Sequence, residues 1–501
     1  MANIFTNAIY NAGDWLARTM AGYIQDALAA DYGVLGRYYT GDHRRQIKIK
    51  PGAITDDNIV QNFVGLAVDR SVSRLWRGGA TFNLPEGAEA QQEYIDKVWD
   101  LNKKEIVLYQ LALHGAVYGT FYFKVSPDAL IDPYTGQAYP RLISVDPEII
   151  RIHTAPQDMN DVEEYVIEYT CMEHRGERDI DVSHREITKH ARETQYGDQA
   201  RPSGEMQTDT WVVESWEQVG GAPWELVASV PWPYTFPPII HGKNLPSLKS
   251  CYGSSDIDDA VNIQDKSNFV VSNTSKIIKH HASQRPIGTG FSGKDLAPID
   301  DSPDSMMVVS NPDAKIYLLN GQSDLGSSRA FALDLRQSIF DISREVDISS
   351  MSDKLGALTN FGLQVLWSDA IDKNDTKRQL YGDVLLELNR RLLVLAGWIG
   401  PASQPGVIAW GDPLPVNVVE EMTADKMALE LGIVDKGTVA ERYKARYGKT
   451  WEEIQAAIAE ESAASNAANA DIGSLILRNF NRGEGVPIVP PERQPVNGNV
   501  R

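Results

Sequence analysis

Ser255-Asp-Ile-Asp-Asp-Ala-Val-Asn-Ile-Gln-Asp-Lys-Ser-Asn-Phe-Val-Val is the stretch on which the fold turns. It opens a helix that the spacing of Ile257, Val261, Val270 and Ile277 or Ile278 carries to His281. An excursion rich in Gly, Pro, Asp and Ser follows over 283–322. A return helix is expected over 324–346, with a stripe of Phe331, Leu335, Ile339 and Ile342 or Val346. A break of small, flexible residues over 347–362 then leads into a third long helix, 363–399. The first two helices, each ~35–40 Å long at 1.5 Å per residue, carry Asn, Ser, Asp, Thr and Arg between their apolar positions. They are too polar to fill a globular core. Packing beside copies from other chains would bury their apolar stripes and leave a polar face wet, which suggests a ring.

Outward from this stretch, the chain of 501 residues has room for roughly three domains of ~150 residues. Hydrophobic residues at 42% and charged residues at 23% are the proportions of a folded protein. The net charge of −20 argues against binding nucleic acid by broad phosphate neutralisation. Cys171 and Cys251, the 2 cysteines, stand far apart and form no spaced cluster, so neither a disulfide framework nor a zinc site is indicated. The N-terminus lacks the basic region of a signal peptide, and no apolar run reaches the ~18 residues of a membrane span.

Before the central stretch, Ile9, Trp15, Leu16, Met20, Ile24 and Leu28 predict an amphipathic helix within 5–30. Residues 38–46 read as a turn and a solvated basic loop. Thr55 or Asp56 is expected to cap a helix that Gly78-Gly79 stops, with a short strand at 80–84 after it. A helix over 103–117 passes through Gly119 into the β-prone run 120–125, and antiparallel strands are expected from 140 to 230. The charged stretch 175–204 reads as an exposed insertion. After the third helix come a Gly/Pro linker over 400–415, helices at 418–431, 435–447 and 451–464, and a disordered tail.

The candidate chemical motifs each have a plainer reading. Gly288-Thr-Gly-Phe-Ser-Gly-Lys has phosphate-loop spacing, but Asp295 stands where Ser or Thr should hold magnesium, and Leu296-Ala-Pro cannot start the required helix. A loop tip fits better. His280 and His281 are adjacent, so they point in different directions on a helix and make no metal site. Asp256, Asp258 and Asp259 are expected as first-turn carboxylates that favour the helix dipole. No nucleophile, base or cofactor fingerprint accompanies them, so no catalytic, cofactor-binding or metal residue is assigned.

In their order, these parts resemble the portal proteins of tailed double-stranded DNA bacteriophages, of the siphophage type. Asn58 to Phe82 is similar to the family's early helix, Gly turn and strand, and Ala112 to Phe123 to its next helix–strand step. Ile143-Ser-Val-Asp-Pro-Glu-Ile-Ile and Tyr252-Gly-Ser-Ser-Asp-Ile-Asp-Asp-Ala-Val-Asn continue the likeness, which spans most of 30–450. The resemblance implies an α+β portal fold assembled as a dodecameric ring: wing 1–254, stem helices 255–282 and 323–346, clip 283–322, tunnel loop 347–362, spine helix 363–400, helical crown 401–480 and tail 481–501. It implies Ser350, Ser352, Lys354, Thr359 and Asn360 facing DNA from the tunnel loop. Lys276, Lys279, Arg329 and Arg336 would be stem contacts, and Arg285, Phe291, Lys294 and Asp295 would dock the motor or adaptor on the clip. The implied partners are double-stranded DNA without sequence preference, the terminase large subunit, the major capsid and scaffolding proteins and a head-completion adaptor. A packaging ATPase and a non-channel adaptor or scaffold are the rival readings. They predict, respectively, nucleotide hydrolysis by the chain alone and no closed rings.

Overall fold

A helix starts where something can occupy its open backbone N–H groups, and that places the start of the helix that Gly78-Gly79 stops later than Thr55 or Asp56. The computed structural model describes residues 31–47, 56–155, 158–175, 178–190, 210–248, 250–282, 286–289, 315–318, 325–347, 349, 360–413, 418–439, 453 and 455–459. Asp56 takes the backbone and side-chain N–H groups of Asn58, at 3.0 and 2.7 Å, and so bends the chain locally instead of capping. Asn62 caps: its Oδ1 accepts from Gly65 N at 2.9 Å. After α1 (residues 31–40), α2 therefore runs Phe63–Leu75. Gly78 and Gly79, at φ +74° and +79°, turn the chain into β1, Ala80–Asn83. Helix α3, Glu89–Leu101, follows and was not expected; α4 is Lys104–Tyr118.

The strands after α4 form two antiparallel sheets. One has the order β3-β2-β9, from β2 (Thr120–Ile131), β3 (Ala138–Val145) and β9 (Ile239–Lys243). The other is a meander of β4 (Ile150–Ala155), β5 (Asp158–Arg175), β6 (Arg178–His190), β7 (Trp211–Val219) and β8 (Glu225–Trp232). Within the stretch expected to be an exposed insertion, 178–190 is thus the central strand of this sheet. Its charges are paired laterally, Arg185 with Glu168 at 2.9 Å and Lys189 with Glu214 at 2.8 Å, while Val182 is fully buried. Cross-strand ion pairs let a sheet face carry charge without becoming a loop.

A 3-10 turn at Asp258–Ala260 leads into α5, Val261–Ala282. Strands β10 (Pro286–Thr289) and β11 (Lys315–Leu318) pair with each other, which puts Gly288 of the phosphate-loop lookalike in a ladder. Then come α6 (Leu325–Ile342), α7 (Asn360–Leu366) and α8 (Ser368–Leu395). Trp367 separates α7 from α8, so the third helix is broken near its start. The expected linker after it contains β12, Val407–Trp410, whose partner is β1.

On α8, Tyr381, Leu385, Leu388 and Leu392 keep helical spacing and are all fully buried. They pack with α2, α4 and the β1–β12 pair into the main core, each leucine stabilising by ~1.5–3 kcal/mol. Trp99 joins them and donates its indole N–H to Asn389 at 2.9 Å. A second cluster, including Tyr122, Ile152, Tyr165 and Trp211, sits between the two sheets' strands. The basic loop at 38–46 is not wholly solvated either: His43 is buried, stacks on Tyr38 at 4.7 Å and meets Asn268 at 2.9 Å.

Gly119 ends α4 at φ +81°, and a Cβ there would lie 2.5 Å from the carbonyl oxygen of Gly253. Gly119→Ala should therefore lower the unfolding free energy by more than ~1 kcal/mol, read from a urea transition. An unchanged midpoint would mean that this close approach relaxes freely.

Residues 415–501 form a second compact unit. Its described part holds α9, Val418–Glu430, and a helical start at 436–439 where Asp435 caps Gly437 N and Thr438 N at 2.9 and 3.2 Å. The helix expected at 5–30 and the tail lie outside the described residues, as does most of 283–322 and 348–359.

Candidate functional site

The helix pair α5–α6 owes its polarity partly to bonds inside the chain. Gln264, Ser267, Asn268 and Ser272 on α5 are buried, with at most 2% exposure. Gln264 Oε1 accepts from Phe63 N at 3.1 Å and Val64 N at 3.3 Å, and Asn268 Oδ1 accepts from Gln61 N at 3.1 Å. Ser272 Oγ accepts from Ile59 N at 2.9 Å. The first half of α5 thus satisfies the strap 59–61 and the first N–H groups of α2, and this part of its polar face is not a wet surface. Backbone N–H groups in an extended strap and at a helix start need acceptors, and amide and hydroxyl side chains supply them. Other positions keep apolar groups exposed: Ile278, Phe331, Leu333 and Ile342 are 51%, 46%, 55% and 45% accessible.

The foot of α5 is anchored by charge. Asp256, expected as a dipole partner, is buried and accepts from Lys377 Nζ at 2.5 Å and Asn244 Nδ2 at 3.0 Å, with Lys373 Nζ at 3.2 Å. Burial alone would raise its carboxyl; Lys373 and Lys377 outweigh that and hold it below the usual range. Burial pushes the Lys377 ammonium down to about 8 against the pull of Asp256. Lys377 also donates to Ser71 Oγ on α2 at 2.9 Å, and Tyr381 to Asn244 Oδ1 at 3.1 Å. This one network joins α2, the foot of α5 and α8.

A second network grips the segment that leaves α6. Arg344 there adopts φ +54°, a left-handed conformation that costs a non-glycine residue ~1–3 kcal/mol. Around it, Ser343 O accepts from Lys373 Nζ at 2.8 Å and Val346 O from Arg70 at 2.8 Å. Glu345 takes both arms of Arg74 in a buried fork, at 2.9 and 2.5 Å, the geometry in which guanidinium–carboxylate pairs are strongest. Arg336 donates to Asp347 at 2.8 Å and also to Ser349, with its guanidinium 4.9 Å from the Phe63 ring centre. Burial raises the Asp347 carboxyl, and bonds from Ser349 and Arg336 outweigh it, so it stays ionised below the usual range. Cations from α2, α6 and α8 thereby fix the segment 343–349.

Of the residues singled out on the helix pair, Arg336 belongs to this grip. Lys279 pairs with Asp57 at 3.0 Å, Lys276 is half-buried and Arg329 is exposed. Asn360 begins α7. Ser350, Ser352, Lys354 and Thr359 lie outside the described residues, as do Arg285, Phe291, Lys294 and Asp295. Reading the sequence missed Arg70, Arg74, Lys373 and Lys377, whose helices look ordinary in isolation. The only signal was the presence of Lys373 and Lys377 at i,i+4 on the face of α8 that also carries Tyr381 and Leu388.

Among the described residues, no helix is long and apolar enough to cross a membrane. The sequence model of a phage portal protein family, SPP1 Gp6-like, matches residues 23–467. The chain belongs to that family. A search of curated proteins finds no match.

Proposed function

We propose that the chain forms a closed ring, a dodecamer, at one capsid vertex, through which double-stranded DNA is packaged and later ejected. The family match over 23–467 carries this reading. In it, residues 1–254 make the wing, helices at 255–282 and 323–346 the stem, 283–322 the clip and 347–362 the tunnel loop. Residues 363–400 give the spine and 401–480 the crown. The exposed apolar groups of α5 and α6 suit contact with neighbouring subunits.

The clip, with Arg285, Phe291, Lys294 and Asp295, docks the terminase large subunit during packaging and a head-completion adaptor afterwards. Major capsid and scaffolding proteins meet the ring during assembly in the host cytoplasm. The chain itself performs no catalysis; nucleotide hydrolysis is the motor's.

Sliding demands weak grip. A densely basic lining would release many counterions and trap the duplex, whereas a chain of net charge −20 repels phosphate on average. Sparse cations on the loop and stem, Lys354 first, then make brief contacts. The gripped segment described above, as the root of that loop, supports this: it holds the loop's base still so that only its tip follows the DNA.

Electron micrographs of the purified chain should show closed rings with a central hole. Lys354→Ala should leave those rings intact and change the packaging rate. Open or absent rings in the unaltered protein would overturn the channel, and unaltered packaging by the variant would remove Lys354 from the DNA path.

A further inference from the structure

Three strands of the meander bring a mixed set of ligating side chains to one sheet face, away from α5, α6 and the loop root. Tyr169, Cys171 and Glu173 alternate along β5 and so share a face. His184 on β6 stands opposite Tyr169, and Glu217 on β7 stands opposite His184. The Tyr169 ring stacks on the His184 imidazole at 5.3 Å and restricts its rotation. Ligand atoms of Cys171, Glu173 and His184 all lie within 4.8 Å of one another. The thiol of Cys171 and Nε2 of His184 both face a single oxygen, Glu173 Oε1, at 3.8 and 2.8 Å.

We propose that Cys171, Glu173 and His184 form a zinc site, with Glu217 as the outer partner that orients the imidazole. Tetrahedral zinc holds sulfur, nitrogen and oxygen at about 2.0–2.3 Å, which sets these ligands roughly 3.3–3.7 Å apart. The side chains need shifts of well under a residue's length to reach that spacing.

The two hydrogens now aimed at Oε1 occupy the place of the ion. On binding, the thiol proton leaves to solvent and the imidazole proton sits on Nδ1, where Glu217 Oε1 lies 3.7 Å away. A carboxylate behind a ligating histidine is the usual outer arrangement of such sites. Arg175 bonds Glu173 Oε2 at 2.9 Å and Glu217 Oε1 at 2.6 Å, leaving Glu173 Oε1 free for the metal. The charges then balance: the thiolate, Glu173 and Glu217 against a divalent ion and Arg175.

A thiol contributes nothing to an ion-pair network, and its place beside imidazole and carboxylate selects zinc over calcium or magnesium. His184 and Glu173 are 25% and 33% exposed, so an ion has access and its fourth position is open to water. The inference rests on the sheet alone and is independent of the portal reading.

The test uses the full chain, stripped by chelator and titrated with Co2+. One equivalent per chain should produce the near-ultraviolet absorption of a thiolate–cobalt bond, and one equivalent of Zn2+ should abolish it. Cys171→Ser should lose the band while keeping the far-ultraviolet circular dichroism of the parent, and Cys251→Ser should retain it. Glu217→Gln should bind ~10–100-fold more weakly. The proposal falls if the parent shows no such band or if Cys171→Ser keeps it.

Discussion

Asp256→Asn should lower the unfolding free energy by ~3–5 kcal/mol, the usual loss when one partner of a buried ion pair is removed. The carboxylate is 1% exposed and is shared by Lys373 and Lys377, themselves 4% and 2% exposed. Without it, two ammonium groups stay in the core with carbonyl and hydroxyl partners but no bonded carboxylate. Part of the loss can be recovered, because burial already holds Lys377 at about 8, and releasing its proton is the cheapest relief. The sign with pH follows from Asp256, whose folded carboxyl lies below its ordinary 3.8. Its contribution is complete above 3.8 and is lost as the pH falls through the lower folded value. The parent should therefore show an increment of acid sensitivity that Asp256→Asn lacks. Urea transitions near neutral pH and in acid would check both statements. Equal midpoints near neutral pH would show that the two lysines find other compensation.

Glu345→Ala should cost a similar ~3–5 kcal/mol, for a different reason. Its side chain is fully buried and Arg74 is 6% exposed, so truncation strands a guanidinium whose remaining neighbour is the Trp367 ring at 4.7 Å. Cation–π attraction recovers only ~0.5–2 kcal/mol of that. The same change releases one of the bonds offsetting the left-handed Arg344. Limited proteolysis should thus cut at 343–349 in the variant faster than in the parent. Arg74→Lys, which keeps the charge and loses the fork, should fall between the two. If Glu345→Ala unfolds like the parent and resists cleavage equally, the root is held by its backbone bonds alone.

How much of this was legible beforehand depends on the range of the interactions. The α+β class, the helix pair and the family likeness were readable because hydrophobic spacing and Gly turns are local signals. Strand 178–190 was misread because Arg185, Glu186 and Lys189 look like a solvated run until Glu168, Lys124 and Glu214 are brought alongside. The helix start was misplaced because Asp56, one of the two expected caps, spends its carboxylate on Asn58, whose side chain in turn bonds Ile47. Helix α5 was judged too polar for a core, and the judgement failed where its amides meet the strap and the start of α2 some 200 residues earlier in the chain. The zinc ligands follow the same rule. Cys171 and His184 have no motif spacing, and only the hairpin register brings them together.

The pairing of Ala80–Asn83 with Val407–Trp410 carries a consequence for how the protein is made. At ~5–20 residues per second, a ribosome needs roughly 15–65 s after finishing the first of these strands before it releases the second. Until then Phe82, buried in the finished core, has no strand partner, and Trp99 still waits for Asn389. Helices α5 and α6 emerge during this interval, after the strap and α2 that α5 bonds but before α8 and β12. The main core therefore closes only after residue 410 has been made, and the pairing of β1 is among the last steps of folding.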